Sequence, residues 1–350
     1  MSSEKVAHQM SDEMRNQLDY LRRDYTDCQG TSFQYFFCPM LHKDEDVELC
    51  MGHIVNDKIP NSSGIRVVQR RDVDGFYGRA FESDFVTLVE ARAANLKDTV
   101  FDERLSKKMK PRIMVDGEEC SHYLYRGTEV PSDHTGIELA HPDGDVVKLV
   151  LKKKPNEFKA ERSRRWQIVV ERDCRVTALV SLIKAGYLTL FRLLGYRYAL
   201  SLAGTEIGHD ILGKFFSLHG GKSVDAARTK AREWFRPYVN LVRPIERFNG
   251  TPPRGTIEDN VAMACFGEYS AKAFGLIVCI RTNSTYQAVL MPVFNDGNTA
   301  AAYHHFLTSK DETLRVSYCE FHPKERCWHG AEEIIETIWP KQATDFAFDD

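Results

Sequence analysis

Apolar residues recur at helical spacing near the start of the chain, where Met14, Leu18, Leu21 and Tyr25 fall on one side of a charged segment. A repeat of three to four residues puts such positions on one face of an α-helix. The pattern therefore predicts an N-terminal helix over residues 1–27.

Residues 28–96 carry short apolar runs separated by turn residues. The run LCMGHIV (residues 49–55) is separated from IRVVQ (residues 65–69) by DKIPNSSG, which is dense in turn-forming residues. From Asp72 onward, apolar residues lie on one side of a stretch typical of an amphipathic helix, predicted over residues 72–95. The predicted order within this module is strand, turn, strand, helix.

Three further regions follow downstream. Residues 97–157 are predicted to form β-hairpins, most clearly at HPDGD (residues 141–145), where a turn stands between alternating apolar positions. Residues 158–250 are predicted to be mainly helical. The segment TPPRG (residues 251–255) marks a break before residues 256–340, where strand-like and helical runs alternate. These patterns predict an α+β fold that ends in a C-terminal α/β region.

One segment of the predicted helical region, Val176 to Leu200, is strongly apolar and long enough to cross a membrane. It also carries Lys184, Arg192 and Arg197, and a charge at the middle of a bilayer is energetically expensive. We therefore predict a buried core helix, with its cations at the rim, and no membrane association.

Composition narrows the function classes. The 350 residues carry 47 basic and 50 acidic side chains, a formal charge of −3, which excludes a uniformly cationic nucleic-acid binder but not a local basic surface. The 43% hydrophobic content favours packed cores over disorder. Nine cysteines, an odd number, and a polar N-terminus without a signal-peptide pattern predict a cytoplasmic protein.

Candidate chemistry concentrates in the strand–turn–strand–helix module. His53 stands at the end of the first strand, and imidazole is suited to deprotonating water near neutral pH. Asp74, Gly78 and Glu82 are spaced i, i+4 and i+8, so they are predicted to line one side of the helix. A carboxylate there is suited to binding a hard divalent cation.

The segment LCMGHIVN…VVQRRDVDGFYGRAFE resembles the HNH endonuclease superfamily, in the branch whose helix carries Asn-x-x-aromatic-Gly followed by Glu. The resemblance spans about residues 28–90 and implies a ββα-metal-like module. It further implies that His53 is the general base and that Asp74 stands at the helix Asn position. The implied metal is Mg²⁺ or Mn²⁺. Asp74 would hold it together with a partner among Asp72, Asp57, Asn56 and Glu82, and the sequence does not choose among them.

The sequence departs from the pattern of that superfamily at two points. Gly52 stands directly before His53, where the family usually has a metal ligand, and the two CxxC zinc pairs of many members are missing. A structural Zn²⁺ is therefore not implied, although Cys38 with His42 could be the remnant of such a site.

Each candidate also has a purely structural interpretation. His53 can be a satisfied histidine at a strand end, and Glu82 can belong to a solvated helix face. Asp72 and Asp74 can cap the helix start, where a carboxylate accepts amide hydrogen bonds and complements the helix dipole.

A second possible zinc site has the spacing C-x2-H-x4-C-x-H near the C-terminus. Soft and borderline ligands of this kind bind Zn²⁺ tetrahedrally, although the spacing matches no standard finger or ribbon. The alternative is a core cysteine followed by a turn with surface histidines. The candidate ligands are Cys319, His322, Cys327 and His329.

Two stretches, residues 151–166 and 228–254, are rich in basic side chains, and aromatic residues are interleaved in the second. Cations neutralise phosphates and aromatic rings stack on unpaired bases, which predicts a nucleic-acid partner, DNA rather than RNA. Solvated charged faces are the structural alternative. The candidate contacts are Lys152, Lys153, Lys154, Arg162, Arg164, Arg165, Arg232 and Arg236.

Two functional hypotheses follow from these patterns. The first is a metal-dependent endonuclease that hydrolyses phosphodiester bonds, with His53 as general base and a divalent ion near the start of the 72–95 helix. The alternative is a non-catalytic nucleic-acid- or protein-binding protein built on a degenerate HNH module, which Gly52 and the missing CxxC pairs favour.

Overall fold

A computed structural model gives the architecture. It describes side chains mainly over residues 10–58, 65–87 and 176–242, and for part of the C-terminal strands and helix. The chain divides into two compact units, a main unit of Met1–Val86 with Val176–Asp350 and an inserted unit of Thr87–Arg175. The described backbone comprises residues 10–58, 65–90, 111–115, 118–120, 122–125, 135–140, 146–151, 166–170, 175–245, 261–266, 275–282, 285–294, 296–308, 316–318, 320–322 and 327–329.

The main unit begins with helix α1, Asp12–Gln29. The Ser11 side chain accepts a hydrogen bond from the Met14 N–H, which caps the helix start, and Gly30 ends the helix in the left-handed conformation. The apolar face buries Leu18 and Leu21. The predicted N-terminal helix is confirmed over its described residues.

A hairpin and a helix follow in the predicted order. Strand β1 (Phe37–Cys38) pairs with β2 (Lys43–Asp44), and β3 (Leu49–His53) pairs antiparallel with β4 (Arg66–Arg70). The hairpin register places Gly52 opposite Val67 and His53 opposite Arg66. The chain then enters α2 (Arg71–Tyr77), a π-helical turn (Gly78–Glu82) and α3 (Ser83–Glu90). The α+β class is confirmed.

Helix α4, Arg175–Ala199, is the apolar segment singled out in the sequence. Gly186 of this helix faces strand β14 (Thr285–Pro292), where an added Cβ would lie 2.8 Å from Met291 Sδ, so glycine permits the close approach. The prediction of a core helix is correct, but the placement of its cations is wrong for Lys184, whose side chain is only 2% exposed. Charged partners on other elements, described below, allow this burial.

Among the described residues, Val176–Ala199 is long and apolar enough to cross a bilayer, and 78% of its apolar window is buried within the protein. Length and composition alone are weak indicators here, since a core helix has the same properties.

Helix α4 contains one non-helical residue, Gly195, with φ 60° and ψ −147°. Next to it, the Tyr196 N–H donates to the Asp24 carboxylate, and Arg197 lies 3.8 Å from the same side chain. This contact attaches α1 to the C-terminal end of α4. Burial raises the pKa of Asp24 to about 6, against the Tyr196 hydrogen bond and the Arg197 charge, which lower it.

The raised pKa gives a testable pH dependence. An unfolded Asp24 loses its proton near pH 3.8 and the folded one near 6, so its contribution to stability is complete below pH 3.8 and decreases as the pH rises to about 6. An Asp24→Asn variant keeps the acceptor for Tyr196 but cannot titrate. We expect the difference in unfolding free energy between wild type and variant to change by about 3 kcal/mol across this window.

Urea titrations at several pH values measure this difference. The Asp12→Asn variant is the control, because Asp12 is exposed in the first turn of α1. A difference that stays constant from pH 3.5 to 6.5 would show that Asp24 titrates normally.

After α4 the chain continues through short helical elements around the same core. Tyr77 of α2 donates to the Leu212 carbonyl oxygen at 2.7 Å, which connects the two parts of the main unit that flank the insertion. The elements are α5 (Leu202–Gly204), a π-helix (Thr205–Gly213), α6 (Lys214–His219), α7 (Val224–Trp234) and a 3-10 helix (Arg236–Leu241).

The C-terminal part of the main unit is an antiparallel sheet in the order β11-β14-β13-β12-β15. The sequence run GLIVCIRT coincides with β13, because its β-branched residues suit a sheet. Helix α8, Gly297–Thr308, follows β14, and a separate pair, β16 and β17, comes last. The strands are β11 (Val242–Ile245), β12 (Val261–Phe266), β13 (Gly275–Thr282), β14 (Thr285–Pro292), β15 (Val316–Tyr318), β16 (Glu320–His322) and β17 (Cys327–His329).

The described residues of the inserted unit form two three-stranded antiparallel sheets, in the orders β10-β5-β6 and β7-β9-β8. Strands β8 and β9 flank the predicted HPDGD turn, in agreement with the hairpin prediction. Strand β10 lies in the region predicted to be helical, because the run WQIVV is β-branched and apolar. The strands are β5 (Pro111–Val115), β6 (Glu118–Cys120), β7 (His122–Tyr125), β8 (Thr135–Ala140), β9 (Val146–Leu151) and β10 (Trp166–Val170).

Candidate functional site

Two carboxylates face the same side of the α2–α3 segment. Eight residues of regular α-helix turn by about 800°, so Glu82 would stand about 80° past Asp74 after two full turns. The π-helical turn Gly78–Glu82 is wider and advances less per residue, which reduces this offset. Such turns often occur at functional sites. Asp74 and Glu82 therefore share a face, as their spacing predicted.

Both carboxylates converge on one buried ammonium group. Lys184 Nζ lies 2.8 Å from Asp74 Oδ1 and 3.4 Å from Glu82 Oε1. The Lys184 side chain is 2% exposed, whereas the side chains of Asp74 and Glu82 are 27% and 17% exposed. The cation is thus enclosed, and the two carboxylates keep partial access to solvent.

The charge state of Lys184 follows from its neighbours. Burial lowers the pKa of the amine, but the charges of Asp74 and Glu82 and their hydrogen bonds outweigh it, so the pKa is raised above its ordinary value. Lys184 is therefore an ammonium ion at neutral pH. It can neutralise and orient carboxylates, and it cannot act as a base.

Further donors hold the outer oxygens of the two carboxylates. Asn56 Nδ2 donates to Glu82 Oε2 at 2.8 Å, and Asn56 Oδ1 accepts from the Lys58 N–H at 2.9 Å. The Cys50 thiol donates to Asp74 Oδ2 at 3.8 Å. Burial and the charge of Asp74 raise the pKa of Cys50 to about 11, so the thiol stays protonated and remains a donor.

One face of the β3–β4 hairpin packs against Asp74, and Cys50 and Gly52 of β3 lie on that face. A Cβ added to Gly52 would lie 3.0 Å from Asp74 Cγ and 2.2 Å from Gln69 Nε2. The Gln69 side chain therefore fills the space left open by Gly52, beside the Asp74 carboxylate. Gln69 is 4% exposed, and neither Nε2 nor Oε1 has a hydrogen-bond partner.

His53 makes a different contact. Side chains alternate between the two faces of a strand, so with Gly52 turned towards Asp74, His53 belongs to the opposite face. There its Nε2 accepts a hydrogen bond from Arg66 Nε at 3.1 Å. An accepting Nε2 leaves the proton of the neutral ring on Nδ1. No hydrogen bond connects His53 to Asp74 or Glu82 in the part of the chain that the structure describes.

Asp72 belongs to a third group, away from Asp74. Its Oδ2 accepts from Arg70 Nη2 at 2.8 Å, and the same guanidinium also pairs with Glu45. Partial burial opposes the effect, but the Arg70 hydrogen bonds and charge lower the pKa of Asp72. Asp72 also accepts from the Val73 N–H in the first turn of α2, whereas the N-cap residue, Arg70, makes no capping hydrogen bond with its side chain.

Of the predicted metal residues, the structure brings together Asp74, Glu82 and Asn56 and leaves Asp72 apart. Within the described ranges, no three His, Cys, Asp or Glu side chains are grouped so as to hold a metal ion. The two carboxylates are oxygen donors suited to Mg²⁺ or Mn²⁺, and the Asn56 amide lies beside them with its nitrogen towards Glu82. These residues therefore fit a hard divalent cation better than Zn²⁺.

The first possible zinc pair, Cys38 and His42, belongs to no group of three possible metal ligands among the described residues. Burial raises the pKa of the Cys38 thiol to about 11, against two backbone hydrogen bonds that lower it. The His42 ring stacks on His209, with centroids 4.6 Å apart, and burial with the His209 charge lowers the pKa of His42. A protonated thiol and a stacked imidazole are ordinary core interactions.

The second zinc cluster is described only as backbone, where the β16–β17 register pairs His322 with Cys327 and Glu320 with His329. The side chains of all four candidates lie outside the described residues, and so does the backbone of Cys319.

The basic candidates are described only in part. Arg232 lies near the end of α7 and Arg236 begins the following 3-10 helix, and both are exposed. Exposure agrees both with a phosphate contact and with an ordinary solvated charged surface, so it does not distinguish the two interpretations. The remaining candidates, Lys152, Lys153, Lys154, Arg162, Arg164 and Arg165, lie outside the described residues.

Comparisons of this chain were made with protein-family models, curated proteins and solved structures. No match was found in any of them. The HNH resemblance therefore stays a prediction.

Sequence reasoning missed Lys184 and Gln69 as parts of this site. A signal for Lys184 was available, because a lysine in the middle of an apolar helix must find carboxylates when that helix is buried. Gln69 gave a weaker signal, because it is one of two polar residues in the run IRVVQ, the other being Arg66, and it directly follows Val67 and Val68.

Proposed function

We propose that this chain is a metal-dependent endonuclease that hydrolyses phosphodiester bonds of nucleic acid, DNA rather than RNA. The observation that carries the proposal is that Asp74 and Glu82, both partly exposed, lie on one face of the α2–α3 segment beside the β3–β4 hairpin. The strand–strand–helix order that positions them supports it, since the HNH resemblance implies the same order.

The metal-binding residues in this proposal are Asp74 and Glu82, which contribute carboxylate oxygens, and Asn56. Asn56 would contribute its amide oxygen after its side-chain amide turns over, because its nitrogen donates to Glu82 and its oxygen accepts from the Lys58 N–H. A bound Mg²⁺ or Mn²⁺ supplies Lewis-acid stabilisation of negative charge on phosphoryl oxygens. Lys184 orients the two carboxylates, which remain 27% and 17% exposed.

His53 is the general base of the proposed reaction, which requires the substrate phosphate to reach past the edge of β3, because the His53 side chain and the Asp74 carboxylate lie on opposite faces of that strand. Its Nε2 atom would take the proton from water. In the free protein the lone pair of Nε2 accepts a hydrogen bond from Arg66. Arg66 is exposed, and a guanidinium binds phosphate through charge-assisted hydrogen bonds. Phosphate binding by Arg66 would release Nε2 to accept the proton, which couples substrate binding to activation of the base.

The test is plasmid nicking in Mg²⁺ or Mn²⁺, with His53→Ala compared to wild type. We expect the variant to lose at least about 100-fold of the nicking rate, the usual contribution of a general base. His305→Ala is the matched control, because His305 lies exposed on α8. A wild type that nicks nothing, or a His53→Ala variant that nicks at the wild-type rate, would refute the proposal.

A second candidate is a non-catalytic protein that binds nucleic acid or another protein through a degenerate HNH module. The Lys184 ammonium favours it, because it already compensates the carboxylates that a metal ion would otherwise neutralise. This candidate predicts binding without cleavage and no stabilisation by Mn²⁺. A thermal shift that grows with Mn²⁺ concentration, as mass action requires, would exclude it.

A further inference from the structure

The Gln69 amide is buried without a partner beside the proposed metal site. Its residue is 4% exposed, and both polar atoms of the amide lack a hydrogen bond. Buried side-chain polar groups are nearly always paired, since an unpaired one carries the full penalty of leaving water. An exception of this kind calls for a physical explanation.

Packing alone does not explain the amide. The side chain occupies the space beside Gly52, where a Cβ would come within 2.2 Å of Gln69 Nε2. A methionine of similar length would fill the same space with no polar atom to satisfy. Cys50, which pairs with Gln69 across the hairpin, donates to Asp74. Gly52 lies on the same face of β3 and is close to both Gln69 and Asp74, so the Gln69 amide lies beside the Asp74 carboxylate.

We propose that Gln69 is an additional ligand of the divalent cation, supplying its amide oxygen beside Asp74. The inference rests on the proposed metal site and adds a residue to it. Hard cations accept amide oxygens together with carboxylates. The amide can present either its oxygen or its nitrogen from the same place by rotation about its last bond, because the two groups have the same shape.

The arrangement also gives Gly52 a role. The absence of a side chain at position 52 of β3 lets β4 deliver the Gln69 amide into that space. A ligand thus reaches the site from the partner strand. In the protein without metal, the amide stays unsatisfied, a local destabilisation of the kind that binding sites carry.

Two measurements on a Gln69→Met variant test the inference. We expect the affinity for Mn²⁺, measured by titration calorimetry, to fall by about 10- to 100-fold, as for other lost metal-site groups. In metal-free buffer we expect the melting temperature to stay unchanged or to rise by up to about 4 °C, because an unsatisfied amide is removed. A Gln69→Glu variant keeps an oxygen ligand and should bind Mn²⁺ at least as tightly as wild type.

Gln17→Met is the matched control, since the Gln17 amide is fully used. Its Nε2 donates to the Arg66 carbonyl oxygen at 3.3 Å, and its Oε1 accepts from the Val68 N–H at 3.1 Å. We expect Gln17→Met to show the opposite signature, with a lower melting temperature and an unchanged Mn²⁺ affinity.

The outcomes separate this inference from the proposed function. If wild type binds Mn²⁺ and Gln69→Met binds it equally well, Gln69 is not a ligand, while the metal site itself stands. A clear fall in the metal-free melting temperature of Gln69→Met with unchanged Mn²⁺ affinity would show a structural role for the amide. No Mn²⁺ binding by wild type would overturn both the metal site and the role of Gln69.

Discussion

Replacing Lys184 by methionine is expected to lower the free energy of unfolding by about 4 kcal/mol. The substitution keeps the length of the side chain and its packing in α4 but removes the charge between Asp74 and Glu82. Two carboxylates, 27% and 17% exposed, would then face each other without the ammonium that neutralises them. Removing one partner of a buried ionic group leaves its charges uncompensated, which is the physical reason for the large effect.

Urea denaturation of wild type and Lys184→Met at pH 7 measures this effect. Lys214→Met is the matched control, because Lys214 pairs with Asp210 on an exposed helix surface and such pairs contribute at most about 1 kcal/mol. Equal losses in the two variants would show that the Lys184 group contributes no more than a surface ion pair.

The same group has a defined pH dependence. The pKa of Lys184 in the folded protein is raised above the ordinary 10.5, so its contribution to stability is complete below pH 10.5. The contribution is lost as the pH rises through the folded-state pKa. The stability difference between wild type and Lys184→Met should therefore be constant at neutral pH and shrink only in strongly alkaline solution.

The part of the site that the sequence could predict is the part made by neighbouring residues. The turn-rich segment DKIPNSSG separates two apolar runs, and the helix follows at once, so local patterns determine the order β3, β4, α2. The shared face of Asp74 and Glu82 follows from helical spacing. The π-helical turn that refines this face has no comparable signal in the sequence.

The other half of the site depends on tertiary packing. Lys184 follows Asp74 by 110 residues, and the inserted unit lies between them along the chain. The sequence pattern around Lys184 predicts only that α4 is apolar. Strand alternation also assigns His53 and Gly52 to opposite faces, but only the hairpin register and the position of Asp74 show which face is which. The contacts of Gln69 depend on both.

Helix α4 connects these features, because it contacts the helix carboxylates and the hairpin together. Lys184 binds Asp74 and Glu82, and two turns later Arg192 donates to the Arg66 carbonyl oxygen at 3.1 Å. The residue whose guanidinium holds His53 is thereby attached to the helix that holds the carboxylates. A shift of α4 along its axis would therefore move both the contacts to Asp74 and Glu82 and the contact to the β3–β4 hairpin. The residues that fix the end of α4 therefore affect the arrangement of the whole proposed site.

That end is fixed at Gly195, and a Gly195→Ala variant is expected to lose about 4 kcal/mol of unfolding free energy. Two separate penalties combine at this position. The backbone has φ 60° and ψ −147°, a conformation that residues with a side chain rarely adopt. An added Cβ would also lie 2.2 Å from Asp24 Oδ2, the acceptor of the Tyr196 N–H, so the contact between α1 and α4 must open.

Two glycines serve as controls that separate the penalties, measured by the same urea titrations. Gly30 has φ 71° with no atom within 4 Å of an added Cβ, so Gly30→Ala reports backbone strain alone, about 1 kcal/mol. Gly221 has neither constraint, and Gly221→Ala should stay within about 0.5 kcal/mol of wild type. A loss at Gly195 no larger than at Gly30 would show that Asp24 moves away freely, and the attachment of α1 to α4 would then contribute little to the fold. A larger loss would show that the Asp24 contact holds the end of α4 in place, and the carboxylates and the hairpin depend on that helix for their arrangement.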